Sequence, residues 1–161
     1  MKEKVSFTKF QKFIECITLL VLLGSIIYLA VSWNSIPSTI PSHFNAKGIP
    51  DDWSGKGSLL AMPIISIILY TLLTTITFFP AIWNTPVEVT EKNRAFVHDN
   101  LRTMLCIIKL ITISDFAYIS LCAATQQSSL SSWFLPMVLI STFGTLTIFI
   151  TRIVKGNKHL K

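Results

Sequence analysis

Four apolar runs, each about as long as a bilayer is thick, constrain this chain more than any motif in it. They cover residues 13–33, 59–83, 104–124 and 133–150. A helix rises ~1.5 Å per residue, so about 20 apolar residues cross the ~30 Å hydrocarbon layer of a membrane. Hydrophobic residues make up 51% of the chain and charged residues only 14%, where a soluble domain carries about 25% charged residues. The expected fold is an all-α membrane protein, a four-transmembrane-helix bundle in one domain, with the lipid bilayer as the partner of most of its surface.

The flanks of the runs support this reading. Trp33, Trp83 and Trp133 stand at span edges, where aromatic rings favour the membrane interface. The first run carries a single charge, Glu15, behind a basic segment with Lys2, Lys4, Lys9 and Lys12. That resembles a signal peptide, but the run is long, it holds an acid, and three more runs follow, so it is expected to stay as a span. The second run holds Pro63 near its start and Pro80 near its end, positions that ask only for modest kinks. The fourth is short and is expected to extend through Arg152 by snorkelling.

Orientation follows from the basic residues. The N-terminal tail has the four lysines just named; the second connection has Lys92, Arg94 and Arg102, with Lys109 just inside the third span; the C-terminal tail has Arg152, Lys155, Lys158 and Lys161. These are 12 of the 14 Lys and Arg, and cytoplasmic loops hold the excess of such residues. Both termini and the 84–103 connection are therefore expected in the cytoplasm, and the first and third connections outside. The net charge of +6 reflects this bordering pattern, and no nucleic-acid partner is expected.

The first connection, residues 34–58, is too long for a minimal linker. Pro37, Pro41 and Pro50 exclude a continuous helix. Residues 40–44 and 49–53 read as short extended pieces joined by a turn at Asn45-Ala46-Lys47-Gly48, with Gly48 able to take positive φ. The expectation is a small hairpin-like external cap between helices 1 and 2, held down at the interface by Phe44 and Trp53.

The strings Ile40-Pro41-Ser42-His43-Phe44-Asn45 and Gly48-Ile49-Pro50-Asp51-Asp52-Trp53, followed by Lys56, resemble the signature of a bacterial membrane domain of unknown function. That domain forms the N-terminal part of the SdpI-type toxin-immunity proteins. The resemblance covers the first two spans and their loop, and continues weakly through Asn84-Thr85-Pro86-Val87 and Thr90-Glu91-Lys92-Asn93. It implies a bacterial cytoplasmic-membrane protein, of a Gram-positive organism, with a role in protection against a secreted peptide toxin. It also implies a regulator held at the cytoplasmic side. The immunity proteins are longer, with further spans, whereas this chain has four.

On the residues alone, His43, Phe44, Asn45, Asp51, Asp52, Trp53 and Lys56 are candidates for binding a ligand or partner. The alternative is structural: Asp51 capping a turn, His43 bonded to nearby backbone, and Lys56 paired with an aspartate. One His and two adjacent Asp are an incomplete ligand set, so no metal and no cofactor is expected. Inside the spans stand Glu15, Lys109 and Asp115. Glu15 and Lys109 lie at similar depth, and either pair across helices or snorkel to the interface. Asp115 falls mid-span and is expected to face the bundle interior, with Thr112, Ser25 or Thr75 as possible hydroxyl partners, or to be protonated.

In the cytoplasmic connection, Thr90 is expected to cap a helix that starts at Glu91 and runs on into the third span. Its exposed face would carry Lys92, Arg94, His98, Asp99 and Arg102, with Asp99 and Arg102 spaced for an ion pair. That face suits a cytoplasmic regulator or anionic lipid, or is simply solvated. The third connection, residues 125–132, reads as a flexible external loop, and Cys16, Cys106 and Cys122 as buried reduced thiols.

Three functions fit: a binding or immunity protein acting at the outer face, a small transporter or ion- or proton-conducting protein using Asp115, and an accessory membrane subunit. No nucleophile–base pair, phosphate loop or complete metal set points to an enzyme. The orientation has a direct test. A cysteine placed at Ala46 should react with a membrane-impermeant thiol reagent added to intact cells, and labelling only after the cytoplasm is opened would invert the topology.

Overall fold

The computed structural model describes residues 6–160. Lys2, Lys4 and Lys161, three of the residues counted for orientation, lie outside them. Four long helices follow in order: α1 (Lys9–Ser32), α2 (Ala61–Thr77), α3 (Arg94–Ala124) and α4 (Phe134–Asn157). A two-stranded antiparallel hairpin, β1 (Thr39–Phe44) and β2 (Pro50–Gly55), lies between α1 and α2. All four helices, counting the short 3-10 extension of α1 and the 3-10 lead into α2, are long and apolar enough to span a membrane. The architecture is that of a multi-pass membrane protein with a hairpin cap.

Helix α3 is the hub. It is 31 residues long, roughly 46 Å at the usual rise, and α1, α2 and α4 all pack against it. On α1 the buried positions Gln11, Ile14, Thr18, Leu22 and Leu29 fall at helical spacing and form the stripe that meets α3. The opposite faces leave Phe13, Leu20, Ile27 and Val31 exposed, as lipid-facing helices require. Cys106 and Cys122 are buried, but Cys16 is exposed on α1, which corrects the expectation of three buried thiols.

The helix ends show why the span limits differ from the apolar runs. Thr8 and Gln11 form a reciprocal capping box, each side chain accepting from the other's backbone N–H at 3.1 Å, so α1 starts at Lys9. Helix α2 stops at Thr77, well short of residue 83. Pro80 begins a separate 3-10 turn (Pro80–Ile82), and the Trp83 indole folds back to donate to the Ile76 carbonyl at 2.9 Å. Apolarity carried the sequence reading past this break, because the turn and the helix are equally greasy. Helix α4 continues through Arg152 to Asn157.

The second connection also departs from expectation. Helix α3 begins at Arg94 rather than Glu91. Thr90 and Asn93 close a turn on each other: the Thr90 N–H donates to Asn93 Oδ1 at 2.7 Å and the Asn93 N–H to Thr90 Oγ1 at 3.4 Å. The buried Asn93 amide then donates to Asn157 Oδ1 at 2.6 Å and to the Glu88 carbonyl at 2.8 Å. This clasps the connection to the end of α4. Beside it the Phe96 ring lies so close to Gly156 that a Cβ there would collide with it. Val97, Leu101 and Ile153 form the buried core of this end.

At the other end an isolated hairpin would be marginal, and here it is docked. Ile40 joins Leu29, Ile36, Leu59, Ala123 and Ala124 in a buried cluster, with Trp33 and Phe44 packed against it. The 125–133 connection is tied to the hairpin rather than free: the Leu130 N–H donates to the Gly48 carbonyl at 2.7 Å, and the Gln126 amide to the Thr39 carbonyl at 2.8 Å. Gly48 has φ of +76°, and an added Cβ would stand 3.1 Å from Leu130. Replacing Gly48 with Ala should cost about 1 to 2 kcal/mol through the left-handed backbone, read as a lower unfolding midpoint in detergent. An unchanged midpoint would show that this turn is not locked.

Candidate functional site

The candidate residues of the hairpin divide into an inner set and an outer set. Strand register places Pro41 opposite Trp53, His43 opposite Asp52 and Phe44 opposite Pro50, with irregularities on either side of His43. The inner set docks the cap. Ile40 and Pro41 are buried and Phe44 packs against the helix ends. The Lys56 ammonium donates to the Trp33 carbonyl at 3.1 Å and lies over the Trp33 ring at 5.1 Å from its centroid. Lys56 thus seals the end of α1, where helical carbonyls lack partners, instead of meeting an aspartate. Asn45 shapes the turn: its Oδ1 accepts from the N–H groups of Lys47 and Ile49 at 2.9 and 3.1 Å.

The outer set faces away from the helices. His43 Nδ1 and Asp51 Oδ1 pair at 2.5 Å across the strands, in the open. Asp52 accepts from the Ser42 hydroxyl at 3.1 Å and from the Trp53 N–H at 2.9 Å. Trp53 is 52% exposed and Ile49 48% exposed. Phe44 and Trp53 sit on strands of alternating facing, and the pairing sends one ring inward and the other outward.

Inside the helices the structure brings Glu15 and Lys109 together. Lys109 is 0% exposed, and its ammonium meets Glu15 Oε2 at 2.6 Å and the Thr74 hydroxyl at 2.7 Å, 4.8 Å from the centroid of the Tyr70 ring. One side chain from α1, two from α2 and one from α3 therefore meet at a point. Glu15 Oε1 is buried without a hydrogen-bond partner among the described residues. Thr74 and Tyr70 escaped sequence reading, since hydroxyls in apolar helices usually bond their own backbone, as Thr75 does to Thr71.

Asp115 does not join this cluster. It is half-buried in a cleft of about 430 Å³ between α3 and α4, and among the described residues none hydrogen-bonds it. Two of the three expected hydroxyl partners are engaged elsewhere: Ser25 donates to the Leu22 carbonyl and Thr75 to that of Thr71. The cleft is walled by Leu110, Phe134 and Met137, with Ser114, Tyr118 and Ser141 at its polar points.

The 84–103 face is less open than expected. Arg102 is 4% exposed, its guanidinium stacked over Phe7 at 4.8 Å and Trp83 at 5.9 Å. The buried Gln11 amide, unforeseen from sequence, donates to Asp99 Oδ1 at 2.9 Å and Thr103 Oγ1 at 2.9 Å, tying α1 to α3. Lys92 and Arg94 remain exposed there.

Comparison with known proteins finds a match over the stretch that contains the hairpin. A family profile described as a domain of unknown function, DUF1648, matches residues 20–67, which run from the middle of α1 through the hairpin into α2. An uncharacterized protein of Archaeoglobus fulgidus is 26% identical over an alignment that covers 56% of this chain and 57% of that relative. The chain thus spans little more than half of that relative's length. No solved structure matches. These findings bear out the resemblance at the level of a membrane domain of unknown function.

The Glu15–Lys109 contact has a measurable consequence. Lys109→Met should cost about 3 kcal/mol, because it strands a carboxylate in a dry interior. Adding Glu15→Gln should recover part of that loss. A double-mutant cycle on unfolding in detergent measures the coupling, and a value near zero would mean that the pair does not hold α1 to α3.

Proposed function

We propose that this chain is a small bacterial integral membrane protein of the cytoplasmic membrane that binds a peptide ligand at its outer face. On this reading its termini lie in the cytoplasm and the hairpin outside. A secreted peptide toxin is the ligand class, and protection against it is the role, as the resemblance to the immunity proteins suggests. The observation that carries the reading is the pre-arranged outer surface of the hairpin. An exposed Trp53 and Ile49 stand beside an exposed His43–Asp51 pair, on a hairpin tied at Gly48, Thr39 and Lys56 to the helix ends. Tryptophan is among the residues most enriched in binding hot spots, and a rigid support lowers the entropy lost on binding. The cytoplasmic regulator belongs to the same proposal, with Lys92 and Arg94 as the exposed cations it would meet.

A second reading, a small transporter or ion- or proton-conducting protein built around Asp115, has the α3–α4 cleft in its favour. The two readings separate cleanly. Cells that express the chain should survive secreted peptide toxins better than cells that lack it. Trp53→Ala should remove that protection, with about 30-fold weaker ligand binding expected for a lost aromatic hot spot, at unchanged membrane abundance. Equal killing with and without the chain counts against protection, and full protection by the Trp53 variant counts against the hairpin surface.

A further inference from the structure

The cleft between α3 and α4 holds a combination of groups that the hairpin reading does not use. Asp115 lines it about nine residues before the end of α3, roughly 14 Å of helix below the hairpin end, inside the apolar part of the span. Next to it the rings of Tyr118 and Phe134 pack at 5.0 Å between centroids, and both line the same space. Ser114 and Ser141 line it from either wall, the Ser141 hydroxyl donating to the Val138 carbonyl at 3.2 Å and keeping its acceptor side, and the exposed, adaptable Met137 chain lies at the α4 rim. The volume, about 430 Å³, falls in the range of small-molecule sites, ~300–1,000 Å³.

We infer that this cleft binds a lipophilic cation: one positive charge on a compact apolar or aromatic body, entering from the bilayer. The charge would sit against the Asp115 carboxylate, whose cost in hydrocarbon falls when it is paired. The body would lie against the Tyr118–Phe134 pair, whose ring faces attract cations, more strongly where water is absent. Among the described residues, the ion pairs do not include Asp115. Lys109, the basic residue nearest along α3, is wholly buried and already held by Glu15 and Thr74. The same commitment argues against a second copy of this chain as the occupant, since its Lys109 is spent in the same way. The inference concerns occupancy alone and holds whether or not anything is moved across the membrane.

The test uses the full chain in phosphatidylcholine nanodiscs with radiolabelled tetraphenylphosphonium as the probe. Empty nanodiscs correct for partition into lipid, and tetraphenylborate serves as an anion of the same shape. Saturable binding of one tetraphenylphosphonium per chain is expected, with tetraphenylborate retained no better than by empty discs. Asp115→Asn should weaken the cation at least about tenfold, the effect of ~1.4 kcal/mol. Ser141→Trp, which fills the cleft from α4 and leaves the carboxylate in place, should do the same, so the outcome does not hang on one variant inserting properly. Binding no greater than in empty discs, equal retention of the anion, or affinity unchanged in either variant would each overturn the assignment. So would a dimer broken by Ser141→Trp in a chain that binds no cation, which would give the cleft to a second copy.

Discussion

Hydrocarbon offers no water to a stray peptide group, so a chain immersed in it must bond its backbone internally or end its helices under cover. The structure is organised around that requirement. Within the helices the regular ladder meets it. At their ends, specific side chains do: Thr8 and Gln11 at the start of α1, the Lys56 ammonium on the Trp33 carbonyl, the Trp83 indole on the Ile76 carbonyl. Of the tryptophans that mark span borders in the sequence, Trp83 thus also closes a helix end with its own side chain.

The same solvent makes polar contacts between helices few and positional. Gln11 and Glu15 lie one turn apart on α1 and reach two points on α3, the Asp99–Thr103 turn and Lys109. Thr74 brings α2 to the second point. Three helices are therefore fixed in register by two buried polar clusters, while the surrounding apolar contacts supply packing that many registers would satisfy. Helix α4 has a different footing. It is fastened at its ends, by the Asn93–Asn157 amide contact on one side and the Leu130–Gly48 backbone bond on the other. Between those fastenings it leaves the cleft at Asp115. Two ionisable groups within the span of one helix, Lys109 and Asp115, thereby end in opposite situations, one sealed and paired, the other open to the side.

The hairpin shows how one short motif serves two ends. Its prolines, Gly48, Asn45, Ile40 and Lys56 are accounted for by the turn, the docking cluster and the cap on α1. What those contacts leave over, His43, Asp51, Ile49 and Trp53, forms the exposed side. The profile match over residues 20–67 covers this unit and the helix segments it sits on, so the matched stretch is a structural module as much as a candidate site.

Four spans and the hairpin with its turn were legible in the sequence, because length, hydropathy and proline or glycine placement act locally. The end of α2 at Thr77 and the start of α3 at Arg94 were not, since an indole returning to a carbonyl and a Thr90–Asn93 turn are choices made by neighbours. The outward turn of Trp53, the tethering of the 125–133 loop and the burial of Arg102 have the same origin. Glu15 and Lys109 could be placed at one depth from the sequence, but depth is a coordinate along the membrane normal. Which helix faces which is an angle about that normal, and only tertiary packing decides it. That angle is what joined Lys109 to Glu15 and set Asp115 beside the rings of Tyr118 and Phe134.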